Sequence, residues 1–140
     1  MIAPSPMLPV QRAVYGRLSG DATLAGLVSG VYDYVPEDVT WPYVVIGEAM
    51  EVPHNWLGGF GRQTTITVHV WTRARGHSPG LAIAARITEL LDHQPLTIAG
   101  GLHHLSTRYE FSQALTDPEP PGDIRHVVLR YRVTTQQQST

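Results

Sequence analysis

Seven histidines in a chain of 140 residues are the side chains whose type most invites chemistry, and the chemistry they invite is metal binding. His69, His104 and His126 fall in three separate segments of alternating polarity, so on strands they could present imidazoles to one common face. Zinc needs three or four such ligands converging at about 2.0–2.1 Å. No HExxH spacing and no cysteine pair supports that convergence, and the adjacent His103 and His104 point to opposite faces of any strand. A row of half-buried polar residues on the less apolar face of a sheet accounts for the same positions. Serines and aspartates are plentiful, but no GxSxG elbow or similar local geometry gathers them with a histidine into a hydrolytic triad. Gly58-Gly59-Phe60-Gly61 has the composition of a phosphate-cradling loop, yet such loops lie between a strand and the helix whose N-terminus binds the anion. Here the glycines precede a strand-like run, which makes them a flexible hairpin tip. The residues nominate no catalytic group, no metal ligand set and no cofactor site.

The elements that would position these residues follow from periodicity. Tyr43 to about Met50 is an apolar run held extended at its start by Trp41-Pro42. Arg62 to Arg73 alternates strictly, with Ile66, Val68 and Val70 on one face and Thr65, Thr67, His69 and Trp71 on the other. The two runs form a long hairpin whose loop spans Pro53 to Arg62. Leu102 to Leu115 alternates as well, with Leu105, Thr107, Tyr109 and Phe111 set opposite His104, Ser106, Arg108 and Glu110. Ile124 to Thr135 places Val127, Leu129, Tyr131 and Val133 against His126, Arg130 and Arg132.

Helices are expected in three places. Ser5 can cap the first, with Pro6 at its first position and Val10, Val14 and Leu18 on its apolar side. Asp21 can cap a second from Ala22 to Val28. The third starts at Ser78 and runs to Leu91 with Ile83, Ala84, Ile87, Leu90 and Leu91 inward; alanines at 82, 84 and 85 would let it sit close to a sheet. Val31 to Pro36 is a short extended piece. Strands with one apolar face each favour an antiparallel sheet. The fold class is α+β, a single domain with roughly four antiparallel strands covered on one face by two or three helices. The domain fills residues 1–135, and 136–140 form a flexible polar tail.

Without a reactive set, exposed apolar and charged residues become the functional candidates. Trp56, Leu57 and Phe60 in the hairpin tip either fold back over their own core or form an apolar finger that docks on a neighbouring subunit, since aromatics are enriched in interface cores. Asp117, Glu119 and Asp123 make an acidic, proline-stiffened loop. Arg130 and Arg132 share a strand face and could pair acids across an interface.

Composition narrows the setting. An apolar fraction of 42% with 16% charged residues fits one globular domain with its own core. No apolar run approaches the ~18 residues that span a membrane, and Met1 to Pro6 lacks the pattern of a secretory signal. Cysteine is absent, which makes an intracellular site of folding the default. All ten basic residues are arginines, scattered along a chain of net charge −2, so only weak DNA contact is expected.

Ala13 to Val28, Val31-Tyr32-Asp33, Pro42 to Glu48, His69 to Thr72, Leu96 to Gly101, and the Asp117 loop followed by His126 to Arg132 form an ordered series of segments. Their order and spacing resemble a phage tail completion, or tail terminator, family of long-tailed phages. The resemblance covers roughly residues 10 to 135 and is variable around Glu51 to Arg62. What it implies is a structural virion subunit, made in the host cytoplasm, that closes the head-proximal end of the tail tube as a ring, commonly sixfold. Its partners would be copies of itself, the tube protein and the head connector, with no catalytic residue to transfer. A monomer in solution is compatible, because the tube end can template the ring. A head-side neck connector or stopper is the neighbouring reading; a small metal- or ligand-binding domain built on His69, His104 and His126 is the remote one.

Overall fold

The two runs of cleanest alternation build the longest ladder of the molecule. A computed structural model describes residues 4–57, 59–118 and 122–137. In it, β3 (Gly61–Arg73) pairs antiparallel with β5 (Ile124–Gln137) from Gly61↔Gln136 to Arg73↔Ile124 with no register shift. β2 (Tyr43–Pro53) adds antiparallel to β3, and β4 (Leu102–Thr116) adds antiparallel to β5. The short piece β1 (Val31–Tyr32) pairs parallel with β2 at Val44 and Val45. The sheet therefore has five strands in the order β1-β2-β3-β5-β4 and is mixed, one strand more than the four expected. Two residues in extended form carry too little periodicity to announce a strand. Gln136 and Gln137, expected in a flexible tail, complete β5; the rest of that tail lies outside the described residues.

Helices cover one face. α1 (Met7–Ser19) buries Val10, Val14 and Leu18, one residue per turn. It starts after Pro6; the Ser5 hydroxyl expected to cap it accepts from the Met7 amide at 3.4 Å and donates to the Glu51 carboxylate at 2.8 Å. α2 (Ala22–Ala25) is a single turn, shorter than expected because Gly26 ends it, although Val28 still reaches the core. Asp21 caps α2 by accepting from the Leu24 amide (2.8 Å) and takes two hydrogen bonds from Arg86 at 2.8 and 3.0 Å. Those bonds hold the Asp21 carboxyl below the usual range, with the Arg86 contact as the largest cause.

α3 (Ser78–Leu91) lies across the central strands with Ile83, Ala84, Ile87 and Leu91 buried. Its close approach comes from Gly80 and Ala84, since Ala82 and Ala85 are exposed. A Cβ on Gly80 would sit 3.2 Å from Val127 Cγ2. Arg17 of α1 donates to the Leu90 carbonyl (3.1 Å) and to Gln94 (3.3 Å), which ties the two long helices together.

The outer strands are irregular. β2 carries a bulge between Ile46 and Ala49, and β4 carries bulges between His104 and Ser106 and between Tyr109 and Phe111. Each inserted residue reverses the faces that follow it. Thr107 and Tyr109 thus pair with Val133 and Tyr131 on the helix side, while Phe111 pairs with Arg130 on the open side. The expected face of Leu105, Thr107, Tyr109 and Phe111 is broken for this reason.

Tyr131 is fully buried under α3, and its hydroxyl shares a 2.8 Å hydrogen bond with Thr88. Burial pushes its pKa up. Tyr131→Phe should lower stability by about 1 kcal/mol, the usual net value of a buried neutral hydrogen bond. Tyr131→Phe combined with Thr88→Val should cost less than the sum of the two singles in urea unfolding.

Candidate functional site

The sheet face away from the helices collects His69, His126, Arg130 and Arg132 of the residues that sequence alone marks. The ladder places Trp71 beside His126, His69 beside Val128 and Thr67 beside Arg130 on that face. His126 stacks on Trp71 with ring centroids 3.8 Å apart and planes 9° apart. Its Nε2 is 2.7 Å from His69 Nδ1, and His69 Nε2 is 2.8 Å from Glu48 Oε1. A carboxylate only accepts, so His69 Nε2–H donates to Glu48; in the neutral state His69 Nδ1 is then bare and accepts from His126 Nε2–H. Proton donation runs in one direction, from His126 to His69 to Glu48.

The β2 bulge makes this chain possible. It moves Glu48 within reach of His69, and Gly47 leaves room for the ring: a Cβ there would sit 2.6 Å from His69 Cδ2. The hydrogen bond from His69 is the main cause holding the Glu48 carboxyl low. Burial pushes His126 down, and the neighbouring His69 adds to that effect. His104 does not join them. The bulge after it leaves it opposite Thr135, and its Nε2 meets Thr107 Oγ1 at 2.7 Å. Two imidazoles and one carboxylate in a line share protons, but they do not converge on a point. Among the described residues no group of three or more His, Cys, Asp or Glu side chains is placed to hold a metal ion.

The charged candidates are spread over two regions. The Arg130 guanidinium lies 4.9 Å over the Phe111 ring on the open face. Arg132 sits directly opposite Arg108 in the β4–β5 ladder, an arrangement of like charges, and the Glu110 carboxylate accepts from Thr65, the residue opposite Arg132 on β3, at 3.5 Å. Asp117 and Asp123 flank the β4–β5 turn: the Asp117 amide donates to the Ile124 carbonyl (3.0 Å), and the Asp123 carbonyl accepts from Ala74 (2.8 Å). Glu119 lies outside the described residues.

The β2–β3 tip is a compact turn at its base. Trp56 and Gly59 exchange main-chain hydrogen bonds of 3.3 and 3.1 Å, and Asn55 Oδ1 accepts from the Gly61 amide (3.2 Å). The Trp56 indole lies over Gly59 and Gly61, where any Cβ would come within 2.7 Å of the ring. Trp56 is nonetheless 42% exposed, Phe60 39%, and Leu57 fully so. The indole therefore covers the backbone of its own hairpin, and Leu57 projects into solvent.

The family profile described as tail completion protein gp17 matches residues 12–136. The chain belongs to that family. It is 29% identical over 128 residues to the tail completion protein gp17 of Bacillus phage SPP1, covering 89% of this chain and 90% of the relative. Among solved structures it resembles a chain in the virion of a native gene transfer agent particle, with a TM-score of 0.84, 26% identity, and coverage of 96% of this chain and 99% of that one. The SPP1 gp17 structure has the same fold, with a TM-score of 0.60, 22% identity, and coverage of 95% and 93%.

Sequence reasoning placed Trp71 on the face of His69 but missed Glu48 and Phe111 as members of the open face. Trp71 was legible, because its parity with His69 in a strict alternation fixes its face. Glu48 and Phe111 were not, since each reaches its place through a bulge.

The low values of His126 and His104 and of Glu48 all act in one direction. A group whose folded pKa is depressed binds its proton more readily in the unfolded chain, so stability is lost as pH falls through the unfolded value. The unfolding midpoint in urea should therefore fall between about pH 7 and about pH 5, and His104→Gln with His126→Gln should flatten that slope. An unchanged slope in the double variant would refute the assignment.

Proposed function

We propose that this chain is a structural virion subunit that closes the head-proximal end of a phage or phage-like tail tube as a sixfold ring and presents the surface that the head connector joins. The match to the tail completion family over residues 12–136 carries this reading. The likeness to a subunit of a gene transfer agent virion supports it at the level of the whole fold. The subunit works by self-association and by ending tube growth, not by turnover. The open sheet face, the hairpin tip with Trp56, Leu57 and Phe60, and the charged positions Asp117, Glu119, Asp123, Arg130 and Arg132 are its contact surfaces. With a net charge of −2, its contact with passing DNA is weak.

Deleting the gene in its phage should leave filled heads beside unjoined tails or tails of aberrant length in electron micrographs. Labelled subunit restored to the deletion should then sit on isolated tails and not on isolated filled heads. Label on the heads would instead assign a neck connector or stopper, and normal infectious particles without the gene would overturn the proposal.

The tip supplies a finer test. Leu57→Ser removes a fully exposed side chain and should leave the unfolding midpoint unchanged while reducing incorporation into tails. Trp56→Ser with Phe60→Ser should reduce incorporation too. If that double variant unfolds while Leu57→Ser incorporates normally, the tip serves only as cover for its own hairpin.

A further inference from the structure

The sheet is one strand wider than the helix layer. α3 turns Arg86 and the Leu90 carbonyl toward α2 and α1, and turns Thr88 and Asp92 toward β5 and β4. By helical period Leu81 and Ala85 share that second flank, and both are exposed. Among the described residues no helix lies beyond them. Ser112 and Ala114, which the register sets opposite Leu129 and Val127 on the helix side, are therefore exposed; so are Phe111, Gln113 and Leu115 on the open side.

The edge of β4 is covered only in part. The His93 amide donates to the Thr107 carbonyl (2.9 Å), and Asp92 accepts from the Tyr109 amide (2.9 Å). Beyond Tyr109, no main-chain hydrogen bond among the described residues reaches the strand from the side away from β5. Phe111-Ser112-Gln113-Ala114-Leu115-Thr116 holds no charge, proline or glycine, so it lacks the side-chain devices that normally blunt an edge.

The opposite edge of the sheet is bare in part as well. β1 closes β2 at Val44 and Val45 and takes up the Ile46 amide, and among the described residues nothing pairs with Gly47–Pro53 on its outer side. Beside it, α1 and β2 border an open cavity of about 380 Å³ lined by Leu8, Gln11, Arg12, Tyr15, Asp33 and Ile46. Leu8 and Tyr15 are exposed there. The Glu48 and Glu51 carboxylates in this stretch are already engaged by His69 and Ser5.

We propose that these two edges pair with each other in successive copies of the chain, residues 111–116 of one copy lying antiparallel to residues 47–53 of the next, so that the sheet continues from subunit to subunit. The inference rests on the ring reading above and names the contact that would build the ring. A heterologous interface needs two different, complementary patches on one chain, and the two bare edges are such a pair. Direction agrees: β2 and β5 run one way and β3 and β4 the other. Copies related by rotation about an axis near the strand direction therefore bring β4 antiparallel to the neighbour's β2. The neighbour's α1, with Leu8 and Tyr15 outward, then comes over the uncovered inner face of β4 toward Leu81.

The register sets the offset between copies. Ala114 is level with Val127, Val70 and Val44, whereas the bare part of β2 begins at Gly47. Centring the two segments shifts copies by about 15 Å across four strands about 4.8 Å apart, a tilt of about 40°. Strands in closed barrels tilt by a similar angle of about 35–45°.

The chain has no cysteine, so cross-linking can be site-specific. Val44 donates outward to Gly30, and alternation through the ladders turns the Ala49 and Ala114 amides outward as well. Particles carrying Ala49→Cys with Ala114→Cys, treated with a short flexible bismaleimide, should give a ladder of this chain with itself on a denaturing gel. Neither single variant should cross-link to itself. Ala114→Pro should keep the unfolding midpoint, because that N–H makes no bond within the subunit, yet lose incorporation into particles. A ladder from a single variant, or double-variant particles with no ladder, would overturn the pairing. So would a cross-link from position 114 to another virion protein. Absence of the chain from particles would instead sink the functional reading. The same cross-link on the concentrated purified chain would then decide the pairing, a ladder supporting it and none overturning it.

Discussion

The unbroken ladder between β3 and β5 is the constraint on which the rest of the structure depends. It pairs every residue from Gly61 to Arg73, so the parity of each position on both strands is fixed. Ile66, Val68, Val70, Val127, Leu129 and Tyr131 go to one side, where α3 packs across them. Trp71, His69, Thr67, His126 and Arg130 go to the other. A one-residue slip would exchange the two sets and remove the core, so this register is held by the burial of that whole apolar face. All described departures from regular pairing fall on β2 and β4, the strands that hang from this pair.

That distribution also explains what could be read in advance. Elements whose period runs uninterrupted were legible: β3 and β5, the α1 stripe of Val10, Val14 and Leu18, and α3 from Ser78 to Leu91. The α+β class and the one-sided helix layer follow from them. β4 was legible as a strand but not as two faces, because a period-two count cannot detect an inserted residue. Glu110 illustrates the point: it takes the extra place beside Tyr109 and sends Phe111 to the side of Arg130. Close packing was misassigned for a related reason. Alanines suggest proximity, but helical phase decides which small residue faces the sheet, and here it is Gly80 with Ala84.

The histidines show how a plausible chemical set becomes a structural one. Three strands did carry His69, His104 and His126, yet the bulge before Ser106 takes His104 out of the group. The two that remain form a one-way relay of hydrogen bonds ending on an open carboxylate, with Trp71 stacked against the far ring. Such a row stiffens the exposed face by using each polar atom locally.

The proposed edge pairing sets two opposed demands: the chain must fold alone, and it must leave main-chain groups unspent for a second copy. Placing the strong ladder at the centre and the irregular strands outside meets both. Stability resides in β3, β5 and α3, so an unpaired edge beyond Ala49 or Ala114 costs the monomer little while water solvates it. The same bare edges are a liability for indiscriminate pairing. The bulges in β2 and β4 and the partial caps from Asp92, His93 and β1 restrict where a second strand can lie. An edge that is closed except over a few residues accepts a partner in few registers, and a ring of fixed size requires that selectivity.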